Sequence, residues 1–449
     1  MFKDISKETM KETIRVAAPA MFESFFASVV TFIDSKMVSV LGTSAVASVA
    51  LTTQPTLLRL APLSAINIAT SALIARRKGE GKQNAAHEVL LTSLILCTVI
   101  SLLVSVTFFL FADPIIRFAG SLEDTHDNAV LYFRILVSIT FFTGLQNCIN
   151  AAHRGAGFTK ISMQTHLVST SVNMLFNYLL IEGRFGFPRL EIKGAAIASA
   201  IGMVVASILS VLSLFRKSTY LQWRIMIREK IRPSWQTVKS VAKLSYSVFF
   251  EVVMIRVGLF LAQKMAAGLG TAAIAAHRVA GNFGSLSFSL GDGLNAAAVT
   301  LVGQSLGRGE PVLAKTYIKT CRILGVICSA LVAVFFALFM RPLFGMFFTD
   351  PYVVDIGASL CIPLIIVIII QIQQAISFGA LRGAGETFFL ALVGIIGTTL
   401  LRPVVAYAAT YWLGFGLIGI WLGSISDHVG RLVACGIRLA KGKWMSLKI

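Results

Sequence analysis

Residues Phe22 to Ala47 read FESFFASVVTFIDSKMVSVLGTSAVA, an apolar run of membrane length interrupted by two acids, Glu23 and Asp34. A helix needs about 20 apolar residues to cross ~30 Å of hydrocarbon. An acid inside such a helix is costly enough to mark a functional site by default. The stretch returns in altered form at Phe250 to Ala275 as FEVVMIRVGLFLAQKMAAGLGTAAIA. This duplication organises the rest of the reading, because it implies a two-fold machine headed in each half by an acid-bearing helix.

The register between the halves is constant. Glu23 and Glu251, Asn67 and Asn295, Gly81 and Gly309, Pro114 and Pro342, Gln146 and Gln374, and the RGAG runs at Arg154 and Arg382 are each 228 positions apart. Chance apolar similarity does not hold one offset through several loops. Beyond that, a three-residue indel brings Gly194 opposite Gly419.

Composition fits a membrane protein. Of 449 residues 56% are apolar and 14% charged, and the mean hydropathy is +0.79. Alternating ten-residue strands are absent, which favours helices over a barrel. Twelve spans are expected, at roughly 14–39, 48–75, 88–112, 128–152, 163–184, 194–215, 243–266, 273–305, 320–345, 355–382, 387–412 and 417–439. The fold class is therefore all-α integral membrane, with twelve helices in two six-helix lobes related by a pseudo-two-fold axis. The expected organisation is an N-lobe at 1–215, a basic linker at 216–242 and a C-lobe at 243–449.

The formal charge of +19 does not signal nucleic acid. Basic residues gather in alternate loops, at Arg76, Arg77, Lys78 and Lys82, at Arg154 and Lys160, at Arg308, Lys315 and Lys319, and at Lys441, Lys443 and Lys448. The positive-inside rule places these loops, and both termini, in the cytoplasm. The linker segment Arg216 to Lys243 holds eight Lys/Arg against one Glu and reads as a cytoplasmic strip on anionic lipid. The six cysteines show no metal or disulfide spacing. No nucleophile–base constellation is visible, so an enzyme is not expected. No cofactor is expected either, beyond H+ or Na+ as a coupling ion.

The deep charges of the first half are Glu23, Asp34 and Arg59. Glu23 and Asp34 lie eleven residues, or three turns, apart on one face, about 16 Å in depth. Arg59 lies between Pro55 and Pro62 on a helix expected to be broken, and is expected to pair with one of these acids. An acid that exchanges neighbours exchanges its proton affinity, so Asp34 reads as the coupling residue. Asn173 and Asn177 are one turn apart, as are Ala195 and Ser199. They read either as an oxygen cage beside Asp34 or as polar helix–helix contacts. The second half carries Glu251, Arg256, Asp292, Arg402, Asp427 and Arg431. Asp427 and Arg431, four apart, read as a structural pair, while Glu251 and Asp292 are candidates for substrate or ion contact.

Several stretches together resemble one family. FIDSKMVSVLG in the first span, AAHRVA and LVGQSLGRGEP around the eighth, the two RGAG runs, and NMLFNYLLIEGRFGFPRLEIKGAAIASAIG across spans five and six are similar to the multidrug and toxic compound extrusion family in its prokaryotic NorM/DinF-like membership. The resemblance covers nearly the whole chain. It implies two six-helix lobes in the inner membrane, acting as a monomer. By alternating access they would export cationic or amphipathic small organic compounds against inward H+ or Na+ flow.

Residue by residue, the resemblance places Asp34 at the first-lobe coupling acid. Asn173, Asn177, Ala195 and Ser199 stand at the companion positions, with Asn177 replacing an aspartate. A Na+ ion at Asp34, Asn173 and Asn177 is one implied possibility. Glu251 matches a seventh-span glutamate, while Gln371 stands where sodium-coupled members keep an aspartate, leaving Asp292, Arg256 and Arg402 as further C-lobe candidates. The loss of acids favours protons. The alternative reading is a flippase or exporter of a lipid-linked or anionic metabolite.

Overall fold

The computed structural model describes residues 6–348 and 350–447, and the side chains of Phe32, Ser35, Ser39 and Thr43 lie outside the described set, as do residues 1–5 of the polar amino terminus and Lys448 of the basic tail. The described chain is all helical. In order it runs α1 (Lys7–Ser39), α2 (Thr43–Gly79), α3 (Gln83–Leu110), α4 (Ala112–Phe118), α5 (Glu123–Ser138), α6 (Thr140–Gly155), α7 (Thr159–Leu180), α8 (Glu191–Ser213), α9 (Trp223–Arg228), α10 (Trp235–Gly268), α11 (Thr271–Gly307), α12 (Pro311–Gly345), α13 (Pro351–Ser359), α14 (Cys361–Gly383), α15 (Thr387–Ile395), α16 (Arg402–Tyr407) and α17 (Gly416–Ala440). Two π-helical segments, Ile396–Leu401 and Ala408–Trp412, flank α16.

Helix ends repeat at the offset read from the sequence. α2 and α11 each run 37 residues, from Thr43 and Thr271. α6 and α14 end at Gly155 and Gly383, and α7 and α15 start at Thr159 and Thr387. The turns recur as well. Gly42 and Gly270 adopt φ of 95° and 101°, and Gly157 and Gly385 adopt 81° and 92°. Only glycine enters this left-handed region without strain, so each RGAG run closes its helix with a glycine cap. The Phe158 and Glu386 amides donate to the His153 and Leu381 carbonyls at 2.8 and 2.9 Å, which satisfies groups the helix end leaves open. Both halves also use a glycine for close packing. A side chain at Gly155 would collide with the Ser71 carbonyl, and one at Gly383 would meet the Val299 carbonyl at 2.5 Å.

Among the described residues, eight helical segments are long and apolar enough to cross a membrane, or nine with the pair α5–α6, bent by 49°. The remaining three expected spans fall on α7, α11 and α17. These helices carry the polar side chains Asn173 and Asn177, Arg278 and Asp292, and Asp427 and Arg431, which lowers their hydropathy. α12 turns Val326, Ile327, Leu331, Phe335 and Leu338 outward, as lipid contact requires.

One detail differs from expectation. α2 continues through Pro55 and Pro62 without interruption. Each proline costs one backbone hydrogen bond, and packing within a membrane bundle tolerates that loss. The backbone irregularity lies instead around Pro403, where the two π segments absorb it. The chain divides into compact units inside α1, with Met1–Phe25 and Tyr246–Ile449 forming one and Phe26–Ser245 the other.

The larger core of the first of these units gathers around Phe283, whose ring meets Phe336, Phe344 and Phe347 at 5.7, 5.6 and 5.8 Å. In the other unit the basic linker is held against the start of α3. Glu88 accepts from the Ser234 and Thr237 hydroxyls at 2.5 and 2.6 Å, and the Gln222 amide donates to His87 at 2.9 Å.

Candidate functional site

In the unit Phe26–Ser245, α1, α7 and α8 bring together Asp34 and three of the four residues expected around it. Asn173 and Asn177 share a face of α7 because they are one turn apart. Gly202 lets α8 approach that face closely, since a side chain there would meet the Ser169 carbonyl at 2.9 Å and Asn173 at 3.0 Å. The Asn177 amide nitrogen donates to Asp34 Oδ1 at 2.9 Å.

The Asn173 amide is satisfied at both ends when its nitrogen faces the acid. It then donates to Asp34 Oδ2 at 3.0 Å and its oxygen accepts from the Ser199 amide and hydroxyl, both at 3.1 Å. Tyr132 of α5 closes the group, lying beside Ser199 and within the field of Asp34. Asn173 and Asn177 are buried, and Asp34 is half-buried. Ala195, one turn before Ser199, packs in an apolar cluster with Val38, Ala45, Ile181 and Ile192.

The chemistry of this site follows from what is near the acid. Asp34 is served by two neutral amides and has no cationic partner among the described residues. Amide donors steady a carboxylate but do not neutralise it, and an uncompensated charge within a span is expensive. Arg59, the expected counter-charge, is deeply buried. Its guanidinium donates instead to the Leu136 carbonyl and the Thr140 hydroxyl, both at 2.6 Å. It thereby ties α2 to the bend between α5 and α6.

The other unit contains a different arrangement. Glu251 of α10 pairs with Arg382 of α14 at 2.6 Å, and the acid is 2% exposed. The sequence marks Arg382 only as the start of a repeated RGAG run; its place on the last turn of α14, before a glycine cap, aims it back toward α10. Asp427 receives Arg431 at 2.7 and 2.8 Å and the Thr398 hydroxyl at 3.2 Å, with Arg402 at 3.8 Å. His428 accepts from Arg431 at 3.1 Å. The Phe378 ring lies under both Arg382, at 5.5 Å, and Arg431, at 5.9 Å. Gly397 makes room, since a side chain there would meet Asp427 at 2.5 Å.

The remaining candidates are dispersed. Glu23 is buried and belongs to this same unit. Asp292 is exposed on α11, between Gly291, packed on Ile372, and Gly293, packed on Met21. Arg256 and Gln371 are half-buried, and no hydrogen bond joins either of them to Glu251. Among the described residues no group of three His, Cys, Asp or Glu could hold a metal ion.

These features define a helical membrane carrier built from two repeated halves, with Asp34 held by amides in the first and Glu251 and Asp427 paired to arginines in the second. The MatE family model matches the chain twice, at residues 19–179 and 248–408, well over half its length and in the register of the repeat. The chain belongs to that family.

A Thermotoga maritima protein named "Probable multidrug resistance protein NorM" is 26% identical over 446 residues, covering 98% of this chain and 94% of its own. A Rhizobium meliloti protein of the same name is 27% identical over 399 residues, covering 87% and 85%. Among solved structures, an outward-facing multidrug resistance MATE transporter of the MOP superfamily superposes with a TM-score of 0.89 at 22% identity, over 96% of each chain. A MOP-superfamily transporter from Pyrococcus furiosus gives 0.89 at 22% identity, over 98% and 97%. The fold is thus the twelve-helix, two-lobe MATE architecture.

Proposed function

We propose that the protein is a proton-coupled antiporter of the inner membrane that exports cationic or amphipathic small organic compounds. The observation that carries the proposal is Asp34, a carboxylate within a span that is held by amides and left without a fixed counter-charge. A proton or a substrate cation can each supply that counter-charge, and competition between them couples their movements. Each proton entering down ~100 mV contributes about 2.3 kcal/mol, enough for roughly a fifty-fold substrate gradient.

Protons are favoured over sodium because the Asn177 nitrogen is donated to the acid and Asp34 is the one carboxylate among its named neighbours, whereas a metal cation needs an oxygen-rich shell. Asn177 in place of a second acid supports the same choice. The names of the Thermotoga and Rhizobium relatives support a drug-like substrate. The orientation with both termini cytoplasmic rests on the basic loops.

Purified protein in vesicles with an imposed pH gradient should accumulate ethidium, and Asp34→Asn should abolish accumulation while melting as the native protein does. Uptake driven equally by a sodium gradient at fixed pH would replace the proton with sodium. Unimpaired transport by Asp34→Asn would remove the proposal.

A further inference from the structure

A second polar centre, 393 residues along the chain from Asp34 at Asp427, has the opposite charge balance. Asp427 is saturated by Arg431 and Thr398, yet Arg402 also stands 3.8 Å away with its side chain 13% exposed. Two guanidiniums on one carboxylate leave a net positive charge inside a span, which is as costly as a lone acid.

Three buried nitrogens of the same unit lack a partner among the described residues. Among the described residues, Arg402 Nε and Trp421 Nε1 have no acceptor, and His277 Nδ1 has no partner. Trp421 is 6% exposed. It shares a face of α17 with His428 and Arg431, and its ring meets His277 edge-on at 5.7 Å. His277 lies within the field of Arg402. A buried N–H without an acceptor costs about 1–3 kcal/mol, so idle donors beside surplus positive charge call for an anion.

The backbone is shaped for this arrangement. Arg402 starts the short helix that separates the two π segments, and such segments are rare and concentrate at functional sites. The first segment carries Thr398 and Gly397 against Asp427. The α16–α17 approach is tight, because a side chain at Gly423 would meet the Arg402 carbonyl at 2.5 Å.

We propose that Arg402, Trp421 and His277 bind the carboxylate of an amphipathic organic anion. Arg402 supplies the charge and one N–H, Trp421 a second N–H, and His277 a third when its proton is on Nδ1. A cation is the wrong occupant, since it would face two guanidiniums. The inference does not depend on proton coupling at Asp34. It extends the compounds this carrier recognises to those bearing a carboxylate.

The test is equilibrium binding of decanoate to the full-length protein in lipid nanodiscs, with decyltrimethylammonium as the matched cation. Trp421→Phe keeps the ring and removes the N–H. It should weaken decanoate about tenfold and leave decyltrimethylammonium unchanged. Arg402→Gln, checked for folding by its melting transition, should remove saturable decanoate binding. Asp34→Asn should bind decanoate as the native protein does, so failure of the export reading would not be mistaken for failure here. Native decanoate affinity in both Trp421→Phe and Arg402→Gln would overturn the proposal. Parallel loss of decanoate and decyltrimethylammonium would also overturn it, since it would indicate adsorption through the chain alone.

Discussion

The two halves share a repeat, but Asp34 in the first and Glu251 and Asp427 in the second are treated in opposite ways. Around Asp34 the neighbours are Asn173, Asn177, Ser199 and Tyr132, all neutral. Around Glu251 and Asp427 the neighbours are arginines at 2.6 to 2.8 Å. Neutral donors hold a carboxylate in place while leaving its charge to be met by something mobile. A guanidinium meets the charge permanently. Under the proposed function Asp34 is therefore open to ion exchange, whereas Glu251 and Asp427 are bonded to arginines, with Arg402 as a further guanidinium beside Asp427.

Breaking the fixed frame should have the largest effect on stability. Glu251→Gln leaves Arg382 buried without its partner, and loss of one member of a buried pair costs about 3 kcal/mol. Thermal melting in detergent should show this as a lowered transition. The double replacement Glu251→Leu with Arg382→Met should recover much of the loss, and no recovery would mean that the pair serves something other than packing.

Next in size is the glycine seam. Gly383→Ala forces a methyl against the Val299 carbonyl and should cost about 1–3 kcal/mol. Gly155→Ala should give a similar shift in the other half. A large effect in only one of them would show that the symmetry of the turns does not extend to packing. Smallest is Asn177→Ala, which removes one donor to Asp34 and should slow proton-driven ethidium uptake about tenfold with little change in melting. A drop in melting comparable to that of Glu251→Gln would place Asp34 among the fixed acids and erase the contrast.

Much of this organisation was legible in the sequence, and the reasons are physical. Period and length expose spans, and a constant offset exposes a repeat even where residues have diverged. Asn173 and Asn177 could be placed on one face because a helix fixes their spacing. What escaped were partners set by tertiary packing. Arg382 lies 131 positions from Glu251, and inside the RGAG run its glycines spoke louder than its charge. Arg59 was expected to meet an acid because opposite charges attract. In this conformation it bonds a carbonyl and a hydroxyl at a helix bend, which no spacing rule reveals. The π segments beside Pro403 leave no periodic trace in an apolar run, while the prolines of α2, which looked like breaks, are absorbed.

The contrast is tested most directly by substrate-induced proton release. Ethidium added to the detergent-solubilised protein in unbuffered solution, with a pH indicator dye present, should release protons from the native protein. Glu251→Gln, if folded, should release them as well, because that acid is locked to an arginine. Asp34→Asn should bind ethidium more weakly and, at concentrations that saturate it, release none. Release that persists in Asp34→Asn, or that vanishes in Glu251→Gln with ethidium still bound, would contradict the assignment of ion exchange to the first half.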